Sequence, residues 1–71
     1  MIVYTHKHEL IRLADAPFSS GGEGEVRSVE SAPARFTNVC AKIYYQHPLA
    51  ELIQSIFNSS NGLIIDKIHI L

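Results

Sequence analysis

The 71-residue sequence has little of what builds covalent cross-links, metal cages or charged binding faces. Its one cysteine, Cys40, excludes an internal disulfide and a zinc site made of cysteines, which fits a reducing compartment. The formal net charge is −1, and no basic cluster is interleaved with aromatic residues. Nucleic acid is therefore not expected as a partner.

Long apolar runs are also missing from the sequence. No run is long enough to span a membrane, and the N-terminal residues lack the basic region and apolar stretch of a secretory signal. Hydrophobic residues make up 46% of the chain and charged residues 18%, which is too apolar for a disordered tail. A chain this short forms at most one small domain. We therefore expect a single cytoplasmic unit over residues 1–71, with no membrane partner.

Three segments of the first two-thirds of the chain favour β-strands. Residues 9–18 have mixed periodicity, and Pro17 discourages a helix, so we predict an edge strand there. Residues 25–30 and 39–45 are rich in β-branched and aromatic side chains, and Lys42 is the only charge in the second of them. We expect residues 39–45 to be a largely buried strand that pairs with residues 25–30 as a hairpin.

The last third of the chain has a different pattern. Its apolar residues fall at helical offsets: Leu49, Leu52, Ile53, Ile56 and Phe57. Pro48 suits a first helical turn, and residues 58–62 supply a stop rich in Asn and Gly. Residues 63–71 then predict a final apolar strand. The expected fold class is α+β, a small antiparallel sheet with a glycine-rich loop hairpin and one helix.

Two short motifs resemble the signature of the protein-kinase N-terminal lobe, in which a glycine-rich loop covers the ATP phosphates and a following strand supplies a lysine. They are Ser-Ser-Gly-Gly-Glu-Gly-Glu-Val over residues 19–26 and Cys-Ala-Lys-Ile-Tyr over residues 40–44. Gly21, Gly24 and Val26 match the second glycine, third glycine and valine of the family. The sequence is most similar to bacterial serine/threonine-kinase-like proteins, and the resemblance is strongest over residues 10–45.

The sequence departs from that family at two positions. Ser19 stands at the place of the first glycine. Ala41 directly precedes Lys42, which leaves Cys40 where the family packs alanine over adenine. The resemblance implies ATP as a weakly bound cofactor and nucleotide as the partner. It implies these binding residues: Ser19, Ser20, Gly21, Gly22, Glu23, Gly24, Val26, Cys40 and Lys42.

Hairpin geometry independently places the lysine beside the glycine loop. A hairpin folded about the middle of residues 31–38 puts Lys42 across from about Arg27. The backbone N–H groups of the glycine loop and the ammonium of Lys42 would then point at one place, where they could bind a polyphosphate. Val26 and Cys40 would form an apolar cover over the base of the nucleotide. The alternative is an ordinary flexible turn, with Lys42 as a solubility charge on an edge strand.

Two other phosphate-binding loops do not fit the sequence. A Walker-type loop needs Lys and Ser/Thr directly after its last glycine, whereas Gly24 is followed by Glu25 and Val26. A Rossmann loop needs a helix to begin at the glycines, and here they lead into a strand-like segment.

The residues that transfer phosphate are missing from the sequence. The only aspartates are Asp15 and Asp66, and neither stands in a kinase catalytic or metal-binding motif. Magnesium ligands would have to come from a helical lobe that this sequence lacks, so we expect no kinase activity from this chain alone. Glu51 is the only acidic residue of the predicted helix, but it lies opposite the apolar face, which favours a surface charge over a partner for Lys42.

Two functions remain open at the level of sequence. The first is an ATP-phosphate-binding N-lobe fragment of a serine/threonine-kinase-like protein, in which residues 46–71 of a truncated or frame-shifted product need not belong to the family. The second is a small non-enzymatic interaction domain whose apolar strand, residues 63–71, is an unpaired edge that binds another chain. His6 and His8 could face one side of a strand, but no third ligand is in view, so no metal is expected.

Overall fold

The computed structural model describes residues 1–45 and 54–70, and every regular element in them is a β-strand. The seven strands are β1 (Ile2–Thr5), β2 (Leu10–Leu13), β3 (Ser19–Ser20), β4 (Gly24–Ser31), β5 (Val39–Tyr44), β6 (Ser55–Asn58) and β7 (Ile64–Ile70). Over these residues, no helix is long and apolar enough to cross a membrane.

Six of the strands form a closed antiparallel barrel. Around the barrel the order is β1, β2, β4, β5, β6 and β7, and β7 returns to pair with β1. The short β3 lies outside this ring, where it pairs with the first residues of β4. The expected α+β class is therefore wrong, because the described part of the chain is all-β and closes on itself.

The predicted helix is replaced, where the structure describes it, by a strand. Ile56 and Phe57 lie in β6, between β5 and β7, and Ile56 is fully buried. A strand at this position completes the wall of the barrel, and Ile and Phe are good strand formers. The other residues of the predicted helix, Pro48, Leu49, Leu52 and Ile53, lie outside the described residues.

The core is the inside of the barrel. Its members are apolar side chains buried within the described residues: Val3, Ile11, Leu13, Phe36, Ala41, Ile43, Ile56 and Ile68. They come mainly from alternate positions of the strands, as expected when one face of each strand is covered. For the same reason β5 is only half buried, with Ala41 and Ile43 inside and Lys42 outside. The expectation of a largely buried strand at residues 39–45 was therefore too strong.

The hairpin of β4 and β5 is confirmed, with a small change of register. Val26, and not Arg27, stands directly opposite Lys42, while Arg27 stands opposite Ala41. Side chains alternate between the two faces of a strand, so this one-residue difference decides which residues share a face. Lys42 shares the outer face with Val26. Arg27 lies on the face of Ala41.

The sequence predicted that the C-terminal strand is an unpaired edge, and this prediction is wrong. β7 pairs with β1 on one side and with β6 on the other. A bulge in the β6–β7 ladder sets Ile64 opposite Phe57 and Asp66 opposite Ile56, so Ile65 has no direct partner. The usual alternation is interrupted there, and Ile64 and Ile65 are both exposed.

A polar cluster ties the β1–β2 turn to β7 and to the loop after β4. Arg35 hydrogen-bonds the Glu9 carboxylate, and its guanidinium lies 3.8 Å from the Asp66 carboxylate. His6 Nδ1 lies 2.9 Å from Asp66 Oδ1. The Thr5 hydroxyl donates to Glu9 Oε1 at 3.0 Å. This cluster joins segments that are distant in sequence.

The hydrogen bond from Arg35 holds the pKa of the Glu9 carboxyl below its ordinary value, against a smaller opposing effect of desolvation. Because the folded state lowers this pKa, ionised Glu9 stabilises the fold at neutral pH. That contribution disappears as the pH falls through the folded pKa. We predict that Arg35→Ala raises the Glu9 pKa towards its ordinary value, as measured by NMR titration of the side-chain carboxyl.

Arg12→Ala is the matched control, because it removes an exposed arginine of the neighbouring strand β2. It should leave the Glu9 titration unchanged. Equal Glu9 midpoints in the wild type and Arg35→Ala would show that the ion pair does not form in solution.

Candidate functional site: the groove between the glycine turn and Lys42

The glycine-rich segment and the lysine strand line one groove of about 420 Å³ on the outside of the barrel. Its lining residues are Ser19, Ser20, Gly21, Gly22, Glu23, Gly24, Glu25, Val26 and Lys42. Eight of the nine residues predicted to bind nucleotide phosphate are in this set. A groove of this volume is within the usual size range of small-molecule sites.

The strands β3 and β4 present the glycine turn as a hairpin. The Gly21 N–H donates to the Gly24 carbonyl at 2.9 Å, which leaves Gly22 and Glu23 at the tip. The Tyr45 N–H donates to the Glu23 carbonyl at 3.0 Å and ties the tip to the end of β5. Within residues 1–45 and 54–70, the N–H groups of Gly22 and Glu23 have no hydrogen-bond acceptor. They are the loop donors that a bound anion could use.

The three glycines of this turn are not alike. None of them has a positive φ, so none is required by a left-handed backbone. A Cβ atom on Gly21 or Gly22 would meet nothing within 4 Å. A Cβ on Gly24 would lie 2.4 Å from the Ile43 carbonyl oxygen, on the neighbouring strand. Gly24 is therefore explained by close packing of β4 on β5.

We predict that Gly24→Ala lowers the free energy of unfolding by about 1–3 kcal/mol, since backbone of β5 must move to admit the methyl group. Gly22→Ala should be neutral or slightly stabilising, because its methyl group would point into open space. Urea unfolding of the two variants measures the difference. Equal stabilities would mean that the close approach of β4 and β5 is absent in solution.

Lys42 supplies the positive charge of the groove. Its side chain is exposed on the outer face of β5, directly opposite Val26. Its Nζ lies 5.2 Å from the centroid of the Tyr44 ring, which is within range of a cation–π contact. Lys42 therefore lines the groove with its ammonium within cation–π range of a neighbour on its own strand.

The two acidic residues of the groove, Glu23 and Glu25, differ in how much negative charge they contribute to it. Glu25 is paired with Arg27, and the side chains of both are nearly buried. Arg27 also donates through Nη1 to the Ala14 carbonyl at 2.7 Å. This pairing neutralises Glu25. Glu23 is exposed at the tip of the turn, where solvent screens its charge.

Cys40 is the predicted site residue that the structure does not bring to the groove. It lies on β5 opposite Ser28, and its Sγ is 3.1 Å from the Ser59 hydroxyl. It therefore packs beside the β6–β7 turn. An apolar cover made jointly by Val26 and Cys40 is not part of the groove.

Neither aspartate is among the residues that line the groove. Asp15 is fully exposed and lies 3.6 Å from the N-terminal amine. Asp66 is held by His6 and Arg35 in the polar cluster. Glu51 lies outside the described residues. Among the residues that the structure describes, no three His, Cys, Asp or Glu side chains are grouped to hold a metal ion.

A second depression, of about 460 Å³, was not predicted from the sequence. It is lined by Tyr4, Thr5, His6, His8 and His69. The pairing of Tyr4 with His69 across β1 and β7 brings the distant histidine to the other two. Strand β1 was not predicted from the sequence either, although Ile2, Val3 and Tyr4 all favour strands. The strand propensity of these three residues is the feature of the sequence from which β1 could have been predicted.

Comparison of the chain with protein-family models, with curated proteins and with solved structures found no match. The function therefore has to be inferred from the residues of the chain itself.

Proposed function

We propose that this protein binds the phosphate groups of a nucleotide such as ATP in the groove between the glycine turn and Lys42, without transferring phosphate. A relationship of residues 10–45 to serine/threonine-kinase-like proteins is part of the proposal, and so is a cytoplasmic location. The α+β lobe of that family is not, because the strands here close into a barrel.

One observation carries the proposal: eight of nine residues selected from sequence motifs line a single groove. They come from the turn of one hairpin and from the strand that follows it. Two N–H groups at the tip of the turn and one ammonium can then contact the same anion. Backbone donors and a lysine are the groups that phosphate sites commonly use.

The same geometry predicts weak binding and no catalysis. Among the described residues, Lys42 is the only lysine or arginine that lines the groove, and the acidic residue Glu23 lines it as well. Neither aspartate of the sequence is available there to orient an acceptor hydroxyl or to hold magnesium. Positioning and charge neutralisation provide nearly all of the catalysis in phosphoryl transfer, so binding without transfer is the expected activity.

We predict that Lys42→Ala weakens ATP binding about ten-fold or more, because a charge-assisted hydrogen bond contributes about 1.5–3 kcal/mol. Lys67→Ala is the matched control. Both lysines are exposed and stand opposite Ser55 on its two neighbouring strands, but Lys67 does not line the groove. Chemical-shift titration with ATP gives both the affinity and the residues that respond.

Gly22→Ala tests the contribution of the turn in the same titration. The substitution has no structural cost that would confuse the result, in contrast to a change at Gly24. Equal affinity of the wild type and Lys42→Ala, or shifts confined to the histidines around Tyr4, would show that the glycine segment is an ordinary turn.

An interaction domain is the second candidate, and the exposed apolar residues at the start of β7 favour it. Leu63, Ile64 and Ile65 have exposed fractions of 66%, 69% and 46%. Three consecutive exposed aliphatic side chains favour contact with an apolar surface of another protein chain. Because β7 is already paired on both sides, such a contact would use these side chains and not added strand pairing.

We predict that purified protein self-associates with rising concentration through this patch, and that Ile64→Ser reduces the association without lowering the melting temperature. Light scattering over a concentration series measures the effect. Ile2→Ser is the control, since it makes the same change at an exposed isoleucine of β1. A monomer at all concentrations would argue against the patch as a contact surface.

A further inference from the structure

Tyr44 touches the functional lysine of the groove but does not itself line the groove. The two residues are separated by one position on β5, so their side chains share the outer face. The ammonium nitrogen of Lys42 lies 5.2 Å from the centroid of the tyrosine ring. The position opposite Tyr44 on β4 is Gly24, which has no side chain to compete for the ring.

We infer that Tyr44 is a positioning residue for the phosphate site: its ring holds the ammonium of Lys42 at the groove before the ligand arrives. The inference rests on the proposed function and adds a residue that belongs to the second motif but is not among the nine predicted binding residues. The negative face of an aromatic ring attracts an ammonium group, and the contact leaves N–H donors on the side away from the ring.

The benefit to binding comes from the flexibility of lysine. A free lysine side chain samples many rotamers, and ordering it on binding reduces affinity. A contact that restricts the ammonium in the unbound protein removes part of that loss. Gly24 stands opposite Tyr44, and its missing side chain admits the close approach of the β5 backbone at Ile43 and Tyr44.

The opposite effect, in which the ring draws the ammonium away from the ligand, does not fit the geometry. The same conformation of Lys42 both contacts the ring and lines the groove. Contact with Tyr44 and access to a ligand are therefore compatible. We therefore expect the ring to support the ammonium at the groove without withdrawing it from a bound phosphate.

The test combines one structural readout with one binding readout. In the wild type, the ring current of Tyr44 should move the ε-methylene protons of Lys42 upfield in the NMR spectrum. Tyr44→Phe keeps the ring and should keep this shift, whereas Tyr44→Leu should abolish it. Tyr45→Leu is the matched control, because Tyr45 is the exposed neighbour on the chain and makes its groove contact through its backbone N–H.

In ATP titrations, Tyr44→Leu should bind about two- to five-fold more weakly than the wild type, as expected for an exposed cation–π contact. Tyr44→Phe and Tyr45→Leu should bind like the wild type. Unshifted Lys42 protons in the wild type would overturn the inference without any variant being needed. So would a Tyr44→Leu protein that binds ATP as tightly as the wild type does.

The two proposals fail in different ways. If wild-type protein shows no saturable response to ATP, the phosphate site is refuted and the role of Tyr44 is refuted with it. If the wild type binds and Lys42→Ala weakens binding while Tyr44→Leu does not, the phosphate site stands and only the positioning role of Tyr44 is lost.

Discussion

The pairing of β7 with β1 is the constraint on which the rest of the structure depends. It joins the two ends of the sheet through Val3, Tyr4 and Thr5 on one side and Ile68, His69 and Ile70 on the other. Without it, β1 and β7 would each present unpaired backbone groups along one edge, and the strands would form an open sheet with exposed apolar inner faces. With it, the described part of this short chain encloses a core to which the strands contribute all members except Phe36.

Closure also determines where a ligand can bind. Apolar side chains of the described residues fill the inside of this small barrel, so we expect a ligand to bind on its outer surface. β4 is long enough to serve two purposes: Val29 and Ser31 pair with β2 in the wall, while Glu25 and Val26 pair with β3 outside it. The glycine turn therefore projects from the barrel, and the groove forms on the outer face beside it.

Sequence reasoning succeeded where the signal was local. The hairpin of β4 and β5 could be predicted because two β-rich segments flank one loop, and the proximity of Lys42 to the glycine turn follows from hairpin geometry alone. It failed where distant segments decide the structure. Ile56 and Phe57 fit a helical period, but they form a strand because β5 and β7 offer backbone pairing partners on both sides of them. A local sequence pattern does not reveal these partners, because β7 follows later in the chain and its position depends on closure of the barrel.

The fold explains some motif residues and leaves others without a structural reason, and this difference decides how much functional weight each can carry. Gly24 is required by the approach of β5, so its presence would be expected in a protein with no ligand at all. Gly22 has open space where its side chain would be, and Lys42 is exposed on a strand whose buried residues are its neighbours. The phosphate-binding proposal therefore depends on Gly22 and Lys42, which barrel packing does not require, and much less on the glycine that completes the motif.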